Sequence, residues 1–248
     1  MTWSQIGALL SFCLAILALL LLAIAPLGWR ARWWHFRFAF AWLMASSGFA
    51  AAAAAIVSLL VLLLGGSHLE AGSLAMAAAA LVVGAVLVYI PWQYNRLRNT
   101  VPRIHDITTD VENPPKFAAV LPARAAESAA TADYEGAELA KSQKAAYPDV
   151  APVELALTQA RAFEMALAVA RSMPGWSIVA ADPATGRIEA SQTSRWFGFT
   201  DDVAIRVSAR GPASRVDKRS LSRQGRSDFG VNAARIRAFM SALRKRQG

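Results

Sequence analysis

The chain has 248 residues, of which 55% are hydrophobic, and carries a formal net charge of +9 at neutral pH. That length accommodates one membrane module and one ordinary domain of about 100–150 residues, and excludes a larger assembly of domains. A single cysteine, Cys13, excludes both a disulfide framework and a thiolate metal site within one chain.

The apolar residues are crowded into the first 95 positions, where 6–27, 38–64 and 71–90 form three stretches without a charged side chain. Each supplies the roughly 20 helical residues that a hydrocarbon core requires, with every backbone group satisfied inside the helix. Six of the eight tryptophans, Trp3, Trp29, Trp33, Trp34, Trp42 and Trp92, fall at or near the ends of these stretches, as amphipathic rings at the headgroup level should. The N-terminus lacks the basic region of a secretory signal, and Leu10-Ser11-Phe12 is a poor lipidation box before Cys13, so the first helix is expected to remain. A transmembrane module over 1–95 is the expectation, with the lipid bilayer as its first partner.

No Asp, Glu, Lys, Arg or His lies deep in these spans, which argues against a pump or an ion-coupled transporter. His35 and His68 flank the second span, so at 1.5 Å per residue they reach opposite faces and cannot share a haem iron. The second and third spans carry small-residue faces, Ala45-Ser46-Ser47-Gly48 leading into 50–55, and Ala75, Ala77 to Ala80 and Gly84. Such faces let helices approach closely, within one bundle or against another membrane subunit. Arg30, Arg32 and Arg37 follow the first span and Arg96, Arg98 and Arg103 the third, whereas the other two flanks hold no Lys or Arg. Six against zero favours a cytoplasmic C-terminal domain.

Residues 96–152 form a Pro- and Ala-rich connecting segment expected to lie against the domain, with one short helix at about Glu135 to Ala146. Within it, Ile104-His105-Asp106-Ile107-Thr108-Thr109-Asp110 gathers an imidazole and two carboxylates. Their extended spacing is not a ligand signature, so they are assigned to turn capping; no metal and no cofactor are expected.

From 153 to 248 the periodicity predicts a two-layer α+β domain: an antiparallel sheet of about four strands with helices on one face. Thr158 caps a helix to about Met173 with Phe163, Leu167 and Ala170 on one stripe, and Pro174-Gly175 ends it. Trp176, Ile178 and Ala180 alternate along a first strand, Asp182 to Gly186 form a tight turn, and Ile188 and Ala190 share a face of the second. Val203, Ile205 and Val207 mark a third strand, and Gly211-Pro212-Ala213 turns the chain into a fourth. After Ser227-Asp228, a cap signal, Ile236, Phe239, Met240 and Leu243 stripe a final helix.

From Ile205 onward, 12 Lys or Arg stand against Asp217 and Asp228, a local balance of +10. Arg215, Arg219, Arg223, Arg226 and Arg235, with Ser220, Ser222, Ser227 and Asn232, are the ingredients of a phosphate or carboxylate site beside a helix start. The competing reading is a solvated strand face whose arginines pair with Asp201, Asp202 and Asp217. Arg195-Trp196-Phe197-Gly198-Phe199 is an aromatic cluster at a bend, expected to close the core, or to mark a ligand lip or partner surface if exposed. Nucleic-acid binding is not expected, because basicity with nearby aromatics is not a recognition module. No Gly-rich phosphate loop, His-Glu-x-x-His helix or nucleophile elbow occurs.

These same strings resemble the domain-of-unknown-function family 1499 over about Arg103 to Leu243. They comprise Ile104 to Asp110 with Asn113-Pro114-Pro115; Tyr147-Pro148-Asp149; Arg195 to Phe199 with Asp201-Asp202; Arg219-Ser220, Ser222-Arg223 and Gly225-Arg226-Ser227-Asp228; and Asn232, Arg235 and Ile236. Lys218 departs from the apolar residue expected on the strand face of Val216. The resemblance implies an uncharacterised bacterial-envelope domain without established catalytic residues, anchored in the cytoplasmic membrane with its domain on the periplasmic side, opposite to the arginine count. The expected function is a non-enzymatic accessory protein offering an arginine-rich surface to a small anion, an anionic lipid headgroup or a protein. A subunit of a respiratory or photosynthetic membrane complex is the second reading, and a metal-dependent enzyme using His105, Asp106 and Asp110 the third.

Overall fold

A computed structural model describes residues 1–65, 69–127 and 131–247, which form two compact units, Met1–Leu97 and Arg98–Gly248. His68 lies outside the described residues; His35 caps the start of the second helix, its Nδ1 accepting from the Arg37 amide at 3.2 Å.

The first unit consists of helices α1 (Trp3–Arg30), α2 (Phe36–Gly65) and most of α3 (Ala71–Thr100), and all three are long and apolar enough to cross a membrane. Each outruns its chargeless stretch, because flanking polar residues continue the helix beyond the hydrocarbon layer. Thr2 and Gln5 close a reciprocal capping box on α1, and α2 opens through a π-helical segment at Ala39–Met44. The small residues are used inside the bundle. Ala18 packs with Ala50 and Ala51, Ala15 with Ala54 and Ala80, and Ala8 with Val61 and Ala77, while Leu9, Leu20, Leu63, Leu64 and Val82 point outward. A Cβ on Gly84 would come within 2.7 Å of the Ala51 carbonyl oxygen, so these backbones meet where only glycine fits. The Ser47 hydroxyl donates across to the Ala18 carbonyl at 2.8 Å.

The second unit is a two-layer α+β domain with an antiparallel sheet. Its strands are β1 (Asp106–Thr108), β2 (Val153–Leu155), β3 (Trp176–Asp182), β4 (Arg187–Thr193), β5 (Thr200–Arg210) and β6 (Ala213–Ser222), in the order β1-β6-β5-β4-β3, with β2 also on β6. The expected four strands become six because β1 and β2 share the free edge of β6: Asp106 faces Leu221, and Val153 faces Val216. Three-residue strands have no period to read. The β3–β4 turn closes on Gly186 at φ +68°, where a Cβ would strike the Val207 carbonyl oxygen at 2.1 Å.

One sheet face carries helices α6 (Gln159–Ser172) and α7 (Val231–Gln247) over Ile188, Ala190, Val203, Ile205, Val207 and Val216. Thr158 stands at the predicted cap position of α6 but makes no side-chain cap bond there. The helix expected from Glu135 begins at Ala137 (α5, Ala137–Ala146), and a short α4 (Leu121–Glu127) precedes it. Gln143 of α5 takes the place of a strand along β1, its amide accepting from Thr108 N–H at 3.0 Å and donating to Thr108 C=O at 2.6 Å. The opposite sheet face is polar and is covered by the segment from Thr109 through α4, with Phe117 and Val120 packed on Ala204 and Leu221.

Candidate functional site

Alternation along β6 sends Asp217, Arg219 and Arg223 to the covered polar face, and Val216, Lys218, Ser220 and Ser222 to the helix face. The arginines of the motif string are therefore divided between two networks.

On the polar face Arg219 forms a bidentate pair with Asp106, Nε to Oδ1 at 2.9 Å and Nη2 to Oδ2 at 2.6 Å. It also donates to the Ala132 carbonyl at 2.8 Å and lies between the rings of Phe117 and Tyr134. Asp202, completely buried, accepts from Arg223 at 2.7 and 3.0 Å, from Arg124 at 3.1 Å and from the Ser191 hydroxyl at 2.9 Å. Arg206 and Arg215 share Asp110 and Asp217. Burial pushes Asp110 up, but the Asn113 amide, Arg206 and Arg215 outweigh it and hold the carboxyl below its usual range. Glu189 accepts the amides of Ala118 and Val120, which pins the covering segment to the sheet.

On the helix face the Ser220 hydroxyl donates to Asn232 Oδ1 at 2.7 Å, and Asn232 Nδ2 donates to Ser222 Oγ at 3.0 Å and to the His105 carbonyl at 2.9 Å. Arg235 donates to Ser220, Asn232, Gln192 and Asp201. Asp228 caps α7 by accepting from Gly230 and Asn232 amides, and burial raises its carboxyl above the ordinary value. Lys218, placed by the same alternation, is wholly buried. Its ammonium nitrogen donates to the Arg235 carbonyl at 2.8 Å and sits over the Trp176 and Phe239 rings. The face shared with Val216 is closed despite the amine, and desolvation lowers the Lys218 pKa well below the usual lysine value.

The expected anion-binding set is thus largely committed to internal partners. The pairs with Asp201, Asp202 and Asp217 form, but under cover rather than on a solvated face: the connecting segment folds over Asp202 and Asp217, and Asp201 meets Arg235 of α7 on the other face. Asp149 pairs with Arg237 at the surface at 2.6 and 2.7 Å, and Ser227 is half-buried in the loop before α7. The aromatic bend divides: Phe197 is buried and stacked on Phe199, while Trp196 is 55% exposed. Sequence reading missed Arg124 and Glu189, since a short helix without apolar period and a lone acid in a strand carry no local signal.

What remains open is a pocket of about 380 Å³ lined by Arg103, Ile104, His105, Asp106, Glu135, Leu139 and Arg226. Arg103 and Arg226 are exposed, and neither makes an ion pair with a described carboxylate. His105 Nδ1 is buried with no hydrogen-bond partner among the described residues. Burial lowers the His105 pKa, against Asp106, Asp228 and Glu135, which pull it upward. Tyr134, beside Asp106, is pushed up to about 12 by burial. The structure does not bring His105, Asp106 and Asp110 together as a metal set: Asp106 is held by Arg219 and Asp110 by Arg206 and Arg215. No group of three His, Cys, Asp or Glu with metal-binding geometry occurs among the described residues.

No curated protein and no solved structure matches the chain. The family model described as "Protein of unknown function (DUF1499)" matches residues 106–243, from Asp106 of the buried pair to Leu243 at the end of the α7 stripe. With more than half its length matched, the chain belongs to the DUF1499 family.

Proposed function

We propose that this is a non-enzymatic, membrane-anchored accessory protein of the bacterial cytoplasmic membrane whose α+β domain binds a small anionic group in the pocket of Arg103, His105 and Arg226. One observation carries the reading: these two guanidiniums stand at a pocket without carboxylate partners, while Arg215, Arg219, Arg223 and Arg235 are consumed in internal pairs. Guanidinium forks suit phosphate and carboxylate geometry. Glu135 on the same rim opposes a second negative charge and favours a singly charged group such as a phosphodiester. The buried carboxylates, each tied to arginines or backbone amides, support a binding role rather than acid–base chemistry. The arginine count supports a cytoplasmic domain, which a reporter fused at the C-terminus tests directly.

Calorimetric titration of the full chain in detergent with glycerophosphoglycerol, a singly charged phosphodiester, at matched ionic strength, tests the pocket. Binding is expected, and Arg103→Gln with Arg226→Gln should weaken it at least about tenfold, about 1.4 kcal/mol. Heats equal to dilution in the parent protein overturn the reading.

A further inference from the structure

The strand register gathers several features at one end of the sheet. Thr193 faces Thr200, Asp201 faces Ser222, and Asp106 faces Leu221, so the 194–199 turn, the 223–230 loop and the chain leading into β1 share that end. It therefore carries Trp196 at the tip of the turn, Arg226 in the loop, and Arg103 between α3 and β1.

Trp196 is not needed by the core, because Phe197 and Phe199 already close it. Its turn is fixed: Ser194 N–H donates to the Phe199 carbonyl at 2.8 Å, Gly198 N–H to the Ser194 carbonyl at 3.0 Å, and Phe199 N–H to the Ser194 hydroxyl at 3.0 Å. An exposed indole on a rigid tip has an apolar body, a hydrogen-bond donor and little entropy left to lose. That combination partitions to the headgroup layer of a bilayer. Arg195 beside it is also exposed.

The tether decides which end of the domain meets lipid. From Ile90, where the chargeless stretch of α3 ends, ten helical residues to Thr100 rise about 15 Å, and the six residues from there to Asp106 extend at most roughly 20 Å. The opposite end, which carries Arg210, lies the length of the 11-residue β5 away, about 37 Å, whereas Arg246 reaches Ser172, close to Trp176, which pairs with Gln192 at the first end. A covalent link keeps headgroups at high effective concentration around the first end.

We propose that this end of the sheet is a docking surface for anionic phospholipid headgroups of the bilayer that holds the chain's own helices. Trp196 seats at the headgroup level, and Arg103 and Arg226 take a headgroup phosphodiester into the pocket between them. The proposal rests on the pocket reading above and names its ligand class.

The test uses the full chain with Cys13→Ala and Val231→Cys, labelled with an environment-sensitive fluorophore at Val231, which is exposed at the same end. In nanodiscs containing phosphatidylglycerol, headgroup spin-labelled lipids should quench the probe. Quenching should fall several-fold in phosphatidylcholine discs, with Trp196→Ala, and with Arg103→Gln plus Arg226→Gln, while circular dichroism stays unchanged. A probe that is unquenched, or equally quenched in both lipids, overturns the docking surface. If glycerophosphoglycerol still binds that same preparation, the pocket reading survives alone; if it does not, both fail.

Discussion

Arg219 on β6 and Asp106 on β1 lie diagonally across the strand ladder and clasp through two parallel bonds, 2.9 and 2.6 Å long, with both side chains almost fully withdrawn from water. The pair joins a three-residue strand to the centre of the sheet, and Phe117 and Tyr134 close over it. The link is structural: it fixes the strand from which His105 projects to the pocket.

Removing one member leaves a buried charge without its partner. Asp106→Asn should destabilise the domain by about 3–5 kcal/mol, whereas replacing both residues, Asp106→Leu with Arg219→Met, should recover much of that loss. Denaturant titration in detergent, followed by near-ultraviolet circular dichroism, measures both. Equal stability of Asp106→Asn and the parent would contradict the buried-pair account.

Lys218 presents the opposite case. It is fully buried among Trp176 and Phe239 with, among the described residues, one carbonyl partner and no carboxylate, and desolvation lowers its pKa. A group whose folded pKa lies below its unfolded value costs stability as pH falls from the unfolded lysine range through the folded pKa. Lys218→Met removes that cost and keeps the volume, so it should raise stability at neutral pH by on the order of 1–2 kcal/mol. A lower unfolding midpoint would show that the amine's contacts outweigh its desolvation.

His105 gives the domain an acid-sensitive element of the same sign. Its pKa is lowered from 6.5 by burial, so the folded state binds the proton less readily than the unfolded chain. The stability of the parent relative to His105→Gln is therefore full above the unfolded value and declines as pH drops from 6.5 through the folded pKa. Asp228, raised by burial, acts in the opposite sense at more acid pH, and the difference between parent and variant isolates the imidazole. Unfolding curves taken from pH 8 to 5 should diverge in that direction; parallel curves would remove His105 as the cause.

The sequence by itself determined what local periodicity and covalent order decide. Twenty-residue apolar runs can be satisfied only as helices in lipid, the alternation of Val203, Ile205 and Val207 marks one buried face, and the glycine at 186 follows from a turn that needs positive φ. Tertiary structure alone decided the fate of the charges. Arg219 and Arg223 look like a basic surface along the chain, yet Asp106 lies 113 residues from Arg219, and Arg124, which joins Arg223 on Asp202, lies 78 residues from that carboxylate. A guanidinium's sign is written in the sequence. Its burial depends on a proline-rich segment folding across the far face of the sheet, and that non-local closure leaves no period to read.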